Sequence, residues 1–275
     1  MMRRRHRGLS FLGLYLRYAR LSLGTQLEYP VSALLLAAGQ FLVTALEAIV
    51  LWVLFDRFGG LRGWRFGEVA LFYALVHIQF ALADVLSRGF DVLGTQFIRT
   101  GQLDRLLLRP RSLTLQLMGH DVRLSRIGRL AQATIVLAIA TEHAPIAWTL
   151  AKALTFAFAV AGGVGLFVGL FVLQGALSFW TIQGLEIANV LTYGGMEAAQ
   201  YPLAVYARWF RRLLIYAVPL GAVAYFPALA ILEKADPLGT PSWLHAYTPA
   251  AGFAFLALTF LAWRQGIRRY TSTGS

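Results

Sequence analysis

The residues that could do chemistry in this 275-residue chain are few, and most sit inside apolar stretches. Gln40, Thr44 and Glu47 share one helical face by i, i+4, i+7 spacing, within a run from Val31 to Phe55 whose one formal charge is Glu47. Tyr73, His77 and Asp84 recur the same way in a second run, Val69 to Leu86. Ionisable groups on apolar helices turn toward a bundle interior or a wet cavity. These six are therefore the candidate lining of a translocation path. Interhelical hydrogen bonds that only order the bundle would use the same residue types. Acid–base chemistry on a lipid by Glu47, His77 and Asp84 is a third use, but no motif ties the three together.

The remaining reactive patterns are absent. The two lysines, Lys152 and Lys234, follow Ala151 and Glu233, so no Gly-Lys-Ser/Thr can cradle a nucleotide's phosphates. The five histidines, at 6, 77, 120, 143 and 245, show no metal-ligand spacing. There is no Gly-x-Ser-x-Gly elbow. With no cysteine, thiolate nucleophiles and thiolate metal sites are excluded. Neither catalytic residues nor metal ligands are expected, and no cofactor is expected in this chain.

The elements that must position these residues follow from composition. Hydrophobic residues make up 58% and charged residues 14%, where a soluble domain carries roughly a quarter charged. With a net charge of +12, the chain points to membrane lipid and not nucleic acid as its surroundings. In lipid every backbone polar group must be bonded internally, so the spans are helices. The expected fold is an all-α integral membrane domain over 1–275 with about six spans, near 31–55, 69–86, 127–140, 154–173, 213–232 and 247–263. The third is the weakest, because Arg129 and Gln132 dilute its start.

Placing both termini and the 87–126 and 174–212 loops on one side gives 20 basic residues there, counting Arg129, against 5 on the other. The basic side is cytoplasmic. Residues 9–24 put Ser10, Gly13, Arg17, Arg20 and Gly24 on one narrow face. That suits a cytoplasmic interfacial helix with Arg17 and Arg20 at the headgroups. In the fourth span Gly165 and Gly169, with Ala161 before them, predict a close helix crossing.

Between the second and third spans runs Ile98-Arg99-Thr100-Gly101-Gln102-Leu103-Asp104-Arg105-Leu106-Leu107-Leu108-Arg109-Pro110. Gly101 permits a turn into a short helix, and Pro110 favours its end. Leu103, Leu106 and Leu107 share one face, with Gln102, Arg105 and Arg109 on the opposite edge. Such an amphipathic helix docks a partner or rests on headgroups.

This stretch resembles the signature of a subfamily of ABC-2-type permeases, in which "I-R-T-G-x-L-D-x-x-L-L-R-P" follows the second span. Tyr201-Pro202-Leu203, Arg208-Trp209 and Pro219…Tyr225-Phe226-Pro227 are similar to its stretch leading into the fifth span. The ending Arg269-Tyr270-Thr271-Ser272-Thr273-Gly274-Ser275 is similar to its Tyr-x-Ser-x-Gly terminus. The resemblance implies the membrane subunit of an ATP-driven exporter in the bacterial inner membrane. It implies two permeases, identical or paralogous, and a separate ABC ATPase that binds ATP and Mg. Gly101, Leu103, Asp104, Arg105, Leu106, Leu107, Arg109 and Pro110 would then couple the ATPase to the spans, helped by a second docking helix within 183–212. An amphiphilic cargo would suit so few intramembrane charges. The competing classes are a lipid-acting membrane enzyme and a non-transporting scaffold.

Overall fold

A computed structural model describes residues 11–181 and 185–270; the outermost basic run at 3–7 and the terminal 271–275 motif lie outside the described residues. Helix α1 (Phe11–Leu27) ends at a turn before Pro30, whose fixed φ opens α2 (Pro30–Phe58) at its first turn. Gly59, in the left-handed region at φ +72°, stops α2 and donates its N–H to Phe55 O. α3 (Phe66–Asp91) starts where Glu68 reaches back to the Arg65 N–H at 2.8 Å. A π-helical turn, Leu93–Ile98, extends it. After α3 come α4 (Gln102–Leu107), α5 (Leu113–Met118), α6 (Arg126–His143) and α7 (Leu150–Leu177). Then follow α8 (Leu185–Asn189), α9 (Gly195–Ala199), α10 (Arg208–Arg212), α11 (Leu220–Val223), α12 (Tyr225–Leu232), α13 (Ser242–His245) and α14 (Ala250–Arg269).

α3 is the axis of the bundle, buried along almost its whole length between α6 and α7. α14 packs on α7, and α2 lies outermost against α6. The tightest α7–α14 approach is at Gly162 and Gly252: a Cβ on Gly252 would sit 2.0 Å from Gly162 O. This closest point lies about one turn before the predicted Gly165–Gly169 pair, which faces α14 as well: Gly165 has ordinary contact room, and a Cβ on Gly169 would lie 2.9 Å from the Phe255 ring.

Among the described residues, four helical stretches are long and apolar enough to cross a bilayer: Pro30–Phe58, Phe66–Ile98, Leu150–Leu177 and Ala250–Arg269. The predicted 127–140 span exists as α6 but does not join them. Its 18 residues include Arg126, Arg129 and Glu142, too many charges for an apolar window. The two arginines are turned inward, as described below.

The predicted 213–232 span is not a straight crossing. Arg208–Ala217 and Leu220–Leu232 are bent by 72° about Pro219. Proline supplies no N–H and restricts the residue before it, so a continuous helix cannot run through this point. Both flanks of the segment reach the same place. Arg62 donates to Ala204 O and Val205 O, and Lys234 donates to Gly63 O at 3.0 Å and to Glu68 at 2.7 Å. Its deep point is held by Gln79, whose amide donates to Val223 O (2.8 Å) and Ala159 O (3.0 Å). Gln79 lies 13 residues into α3, about 20 Å from its start. Residues 208–232 thus enter the bundle and return to the end they came from.

The 174–212 stretch, expected as one loop at one end, threads the bundle instead. α8, a π turn at Val190–Gly194 and α9 run on with helical dihedrals through Asn189, Gly194 and Gly195. Asn189 bonds Gln174, which also bonds Asp91 at the far end of α3, while Ala204 and Val205 sit at the Arg62 end. The sequence hid this crossing because Glu186, Glu197, Gln200 and the Gly194–Gly195 pair dilute its hydropathy.

Candidate functional site

The polar stripes of α2 and α3 meet, but only in part. Glu47 and His77 face each other at 3.9 Å, and the His77 ring stacks on Tyr73 with centroids 4.0 Å apart. The Tyr73 hydroxyl donates to Thr44 O at 2.8 Å, and Thr44 donates to Gln40 O and Phe41 O. Tyr73 and Thr44 are thereby committed to holding α2 on α3, while Gln40 stays half-buried on the same stripe. His77 is fully buried; Gln200 of the threading helix is its polar neighbour, but neither ring nitrogen meets a partner at full hydrogen-bond geometry. Gln132 of α6 is 2% exposed; Tyr73 is its polar neighbour, but neither amide atom meets a partner at full hydrogen-bond geometry. Arg129, one turn earlier, lies over the Phe80 ring and 3.9 Å from Met196 Sδ. Glu197 and Gln200 of the threading helix, bonded to each other at 2.9 Å, complete the surroundings.

Asp84 belongs to a different cluster. Its carboxylate receives Arg126 at 2.8 Å and Arg88 at 3.7 Å, and is 2% exposed. Arg88 also meets Asp91 at 2.7 Å and the Tyr193 hydroxyl, which in turn reaches Asp91 at 3.2 Å. This ion cluster ties α3, α6 and the π turn of the threading helix together near the α3 C-terminus. Glu47, His77 and Asp84 are not one catalytic constellation: two arginines occupy the third carboxylate.

The loop after α3 is a rigid block. Gly101 takes φ +70°, which its lack of a Cβ allows, and opens α4. Leu103 is fully buried, Leu106 half-buried, and Leu107 and Leu108 are exposed at 43% and 86%. The predicted apolar face thus divides: Leu103 belongs to the core, and Leu107 joins Leu108, Arg105, Arg109 and Pro110 on the outward surface. α4 packs on the π-helical turn and α5, with Leu103 inside that contact and Leu107 outside it. α5 packs so closely on α3 that a Cβ on Gly89 would lie 2.0 Å from Leu117 O. The end of α14 clasps both short helices. Trp263 donates to Thr114 Oγ1 at 3.0 Å, and the Tyr270 hydroxyl to Asp104 at 3.1 Å. Burial and this carboxylate partner push the Tyr270 phenol above its usual value. α1 braces the same block through Ser22 and Gln26, which bond Val122 O and Leu124 N–H, and leaves Arg17 and Arg20 exposed.

The sequence model of ABC-2 family transporter proteins matches residues 41–274, from the middle of α2 to the end of α14 and beyond. The chain belongs to that family. No curated protein and no solved structure gives a significant match. It is accordingly a multi-pass membrane protein, the membrane component of a transport system.

Several residues of this permease that organise the site carry no motif. Gln79, Gln132 and Gln174 are buried glutamines in or beside apolar helices, and that incongruity was the available signal. Arg126 and Arg129 were countable as loop charge, but they serve as inward partners of Asp84 and Phe80. At the other end of the bundle, Asp236 anchors the loop after α12. Burial would raise its carboxyl, but hydrogen bonds from Thr240 Oγ1, the Leu238 N–H, the Tyr225 hydroxyl and the Thr240 N–H outweigh that and hold it below the usual carboxylate range.

Proposed function

We propose that this permease works in an ATP-driven exporter, with ATP and Mg bound by a separate ATPase chain and a second permease, identical or paralogous, beside it. The observation that carries the reading is the α4–α5 block. It offers Arg105, Leu107, Leu108 and Arg109 outward, and the residues behind them are locked to α3 and α14. A partner that moves this block therefore moves two spans, which is the differential contact that coupling needs.

Both termini are assigned to the cytoplasm, with the α4–α5 block on that side. Arg208, Arg211 and Arg212 sit on the re-entrant segment, and moving them across leaves the basic residues 17 to 8 in favour of the same side. α6 and the threading helix then bring the crossings to six, the fifth being 185–201 in place of 213–232. The translocation path is assigned to the face that carries Glu47. Its side chain is 40% exposed near the middle of α2. A charged side chain open to lipid at that depth costs roughly 2.5–3.5 kcal/mol. A second permease facing it would turn the same surface into a polar route between subunits.

The test is reconstitution. The permease purified alone hydrolyses no ATP; with its ATPase it forms a complex that hydrolyses ATP and moves substrate outward. Robust turnover by the chain alone would overturn the division of labour.

A further inference from the structure

A lateral cleft of about 430 Å³ opens between α2 and α6, walled by Phe41, Ile49, Trp52, Ile135 and Ile139. That volume is in the range of small-molecule pockets, roughly 300–1,000 Å³. Gln132 also lines the cleft, its amide short of full hydrogen-bond geometry with any described group. Beside Gln132 stands Tyr73, stacked on His77, and His77 faces Glu47. An apolar slot open to the bilayer therefore adjoins two buried side chains, Gln132 and His77, whose polar atoms meet no partner at full hydrogen-bond geometry, with Tyr73 and Gln200 as their polar neighbours. Buried donors and acceptors left short of good hydrogen bonds favour a ligand that completes them. This geometry is half apolar wall and half incompletely bonded donors and acceptors.

We propose that cleft and cluster form one binding site for a single-chain amphiphile: the alkyl chain lies between α2 and α6, and an uncharged hydroxyl- or amide-bearing head reaches Gln132 and His77. The proposal rests on the transport reading above and names the class of its substrate. The head must be both donor and acceptor. The Gln132 amide offers one carbonyl and one NH₂, and a neutral imidazole offers one of each kind. A phosphate head carries roughly one or two negative charges and would face the Glu47 and Glu197 carboxylates. Arg129, a cation nearby, already lies among Phe80, Met196 and those carboxylates. A quaternary ammonium head supplies no donor to the Gln132 carbonyl. Hydroxyls and amides answer both halves of each side chain.

The experiment uses the full-length permease alone, in phosphatidylcholine nanodiscs, with an alkyl glucoside carrying a diazirine in its chain. Labelled positions are mapped by mass spectrometry, with unlabelled alkyl glucoside, alkyl phosphate and alkyl trimethylammonium of the same chain length as competitors. The expected result is labelling concentrated on α2 and α6, displaced by the glucoside and not by the two charged amphiphiles. Gln132→Leu, which keeps the side chain's size, lowers displacement affinity about tenfold, as for one lost hydrogen bond of roughly 1.4 kcal/mol. Ile135→Trp, at a half-exposed wall position, removes the α2 and α6 labelling while leaving Gln132 in place. Labelling spread evenly over α2, α6 and α14 would mean annular lipid only and would overturn the proposal. So would equal competition by the phosphate, or a Gln132→Leu protein that binds as the parent does. No ATPase is present, so failure of the exporter reading would show separately, as a permease that binds the amphiphile but forms no ATPase complex.

Discussion

Replacing Arg126 with Met tests whether the buried ion cluster holds the bundle. The Asp84 carboxylate is 2% exposed and has Arg126 at 2.8 Å but Arg88 only at 3.7 Å. Removing one partner of a buried pair typically costs 3–5 kcal/mol, because the other charge is left without compensation. Arg88 remains, although its closer partners are Asp91 and Tyr193, so the loss expected for Arg126→Met is about 3 kcal/mol. Asp84→Leu strands Arg126 and should cost a similar amount. The double substitution removes both charges and, with an apolar pair of similar volume, should fall within about 1 kcal/mol of the parent. The assay is reversible unfolding in mixed micelles, followed by tryptophan fluorescence, for the parent, the two single variants and the double variant. A large favourable coupling is the expected result. Additive losses would show that Asp84 and Arg126 are not energetically paired. An unaffected Arg126→Met protein would remove the cluster from the description of what holds α3 to α6.

Other perturbations follow from the same geometry. Gln79→Leu deletes both bonds that pin the re-entrant segment at Val223 and Ala159, so a cysteine placed at Ala222 should become several-fold faster to label with a small maleimide while the protein still inserts. Gly252→Leu should abolish the α7–α14 crossing and the folded yield, whereas Gly39→Ala, with nothing within 4 Å of its Cβ, should be neutral in the same thermal melt. The Asp236 carboxyl is held below its ordinary value, so its contribution is present above that value and is lost as pH falls through the lower folded one. Limited proteolysis of the 233–241 loop should therefore increase in strong acid, and Asp236→Asn should remove that pH dependence while raising cleavage at neutral pH.

What the sequence made legible was whatever depends on local pattern. Pro30 and Gly59 bound α2, Gly101 opens α4, and the apolar runs of α2, α3, α7 and α14 mark through-going helices. Illegible features depended on where charges end up. Arg126 and Arg129 read as loop cations because hydropathy cannot see that Asp84 and the Phe80 ring await them inside. The re-entrant segment read as a span because Leu213 to Leu232 is apolar throughout, yet its two flanks answer to Arg62 and Lys234 at one end. Conversely, the threading helix read as a loop, although its Tyr193 and Gln200 are bonded or buried within the bundle. In the candidate site the α2 and α3 stripes meet at Glu47 and His77, a pairing that spacing on separate helices does not specify, and Asp84 shares their spacing without sharing their surroundings. The joining of Asp104 to Tyr270, between two motif segments 166 residues apart, is a tertiary contact that no local pattern contains.

The proposal that the permease is driven through α4 is tested most directly by changing only its outward surface. Leu103 is buried, so Leu103→Asp would report on folding and not on docking. Leu108→Asp and Arg109→Glu alter groups that face away from the chain. The measurement is co-purification of the ATPase with each variant from membranes, together with ATP-driven transport by the reconstituted complex. The expected result is loss of the ATPase, or of transport per ATP, from variants that insert and melt as the parent does. Variants that retain a full ATPase complement and full transport would show that the surface of α4 is not where the motion enters.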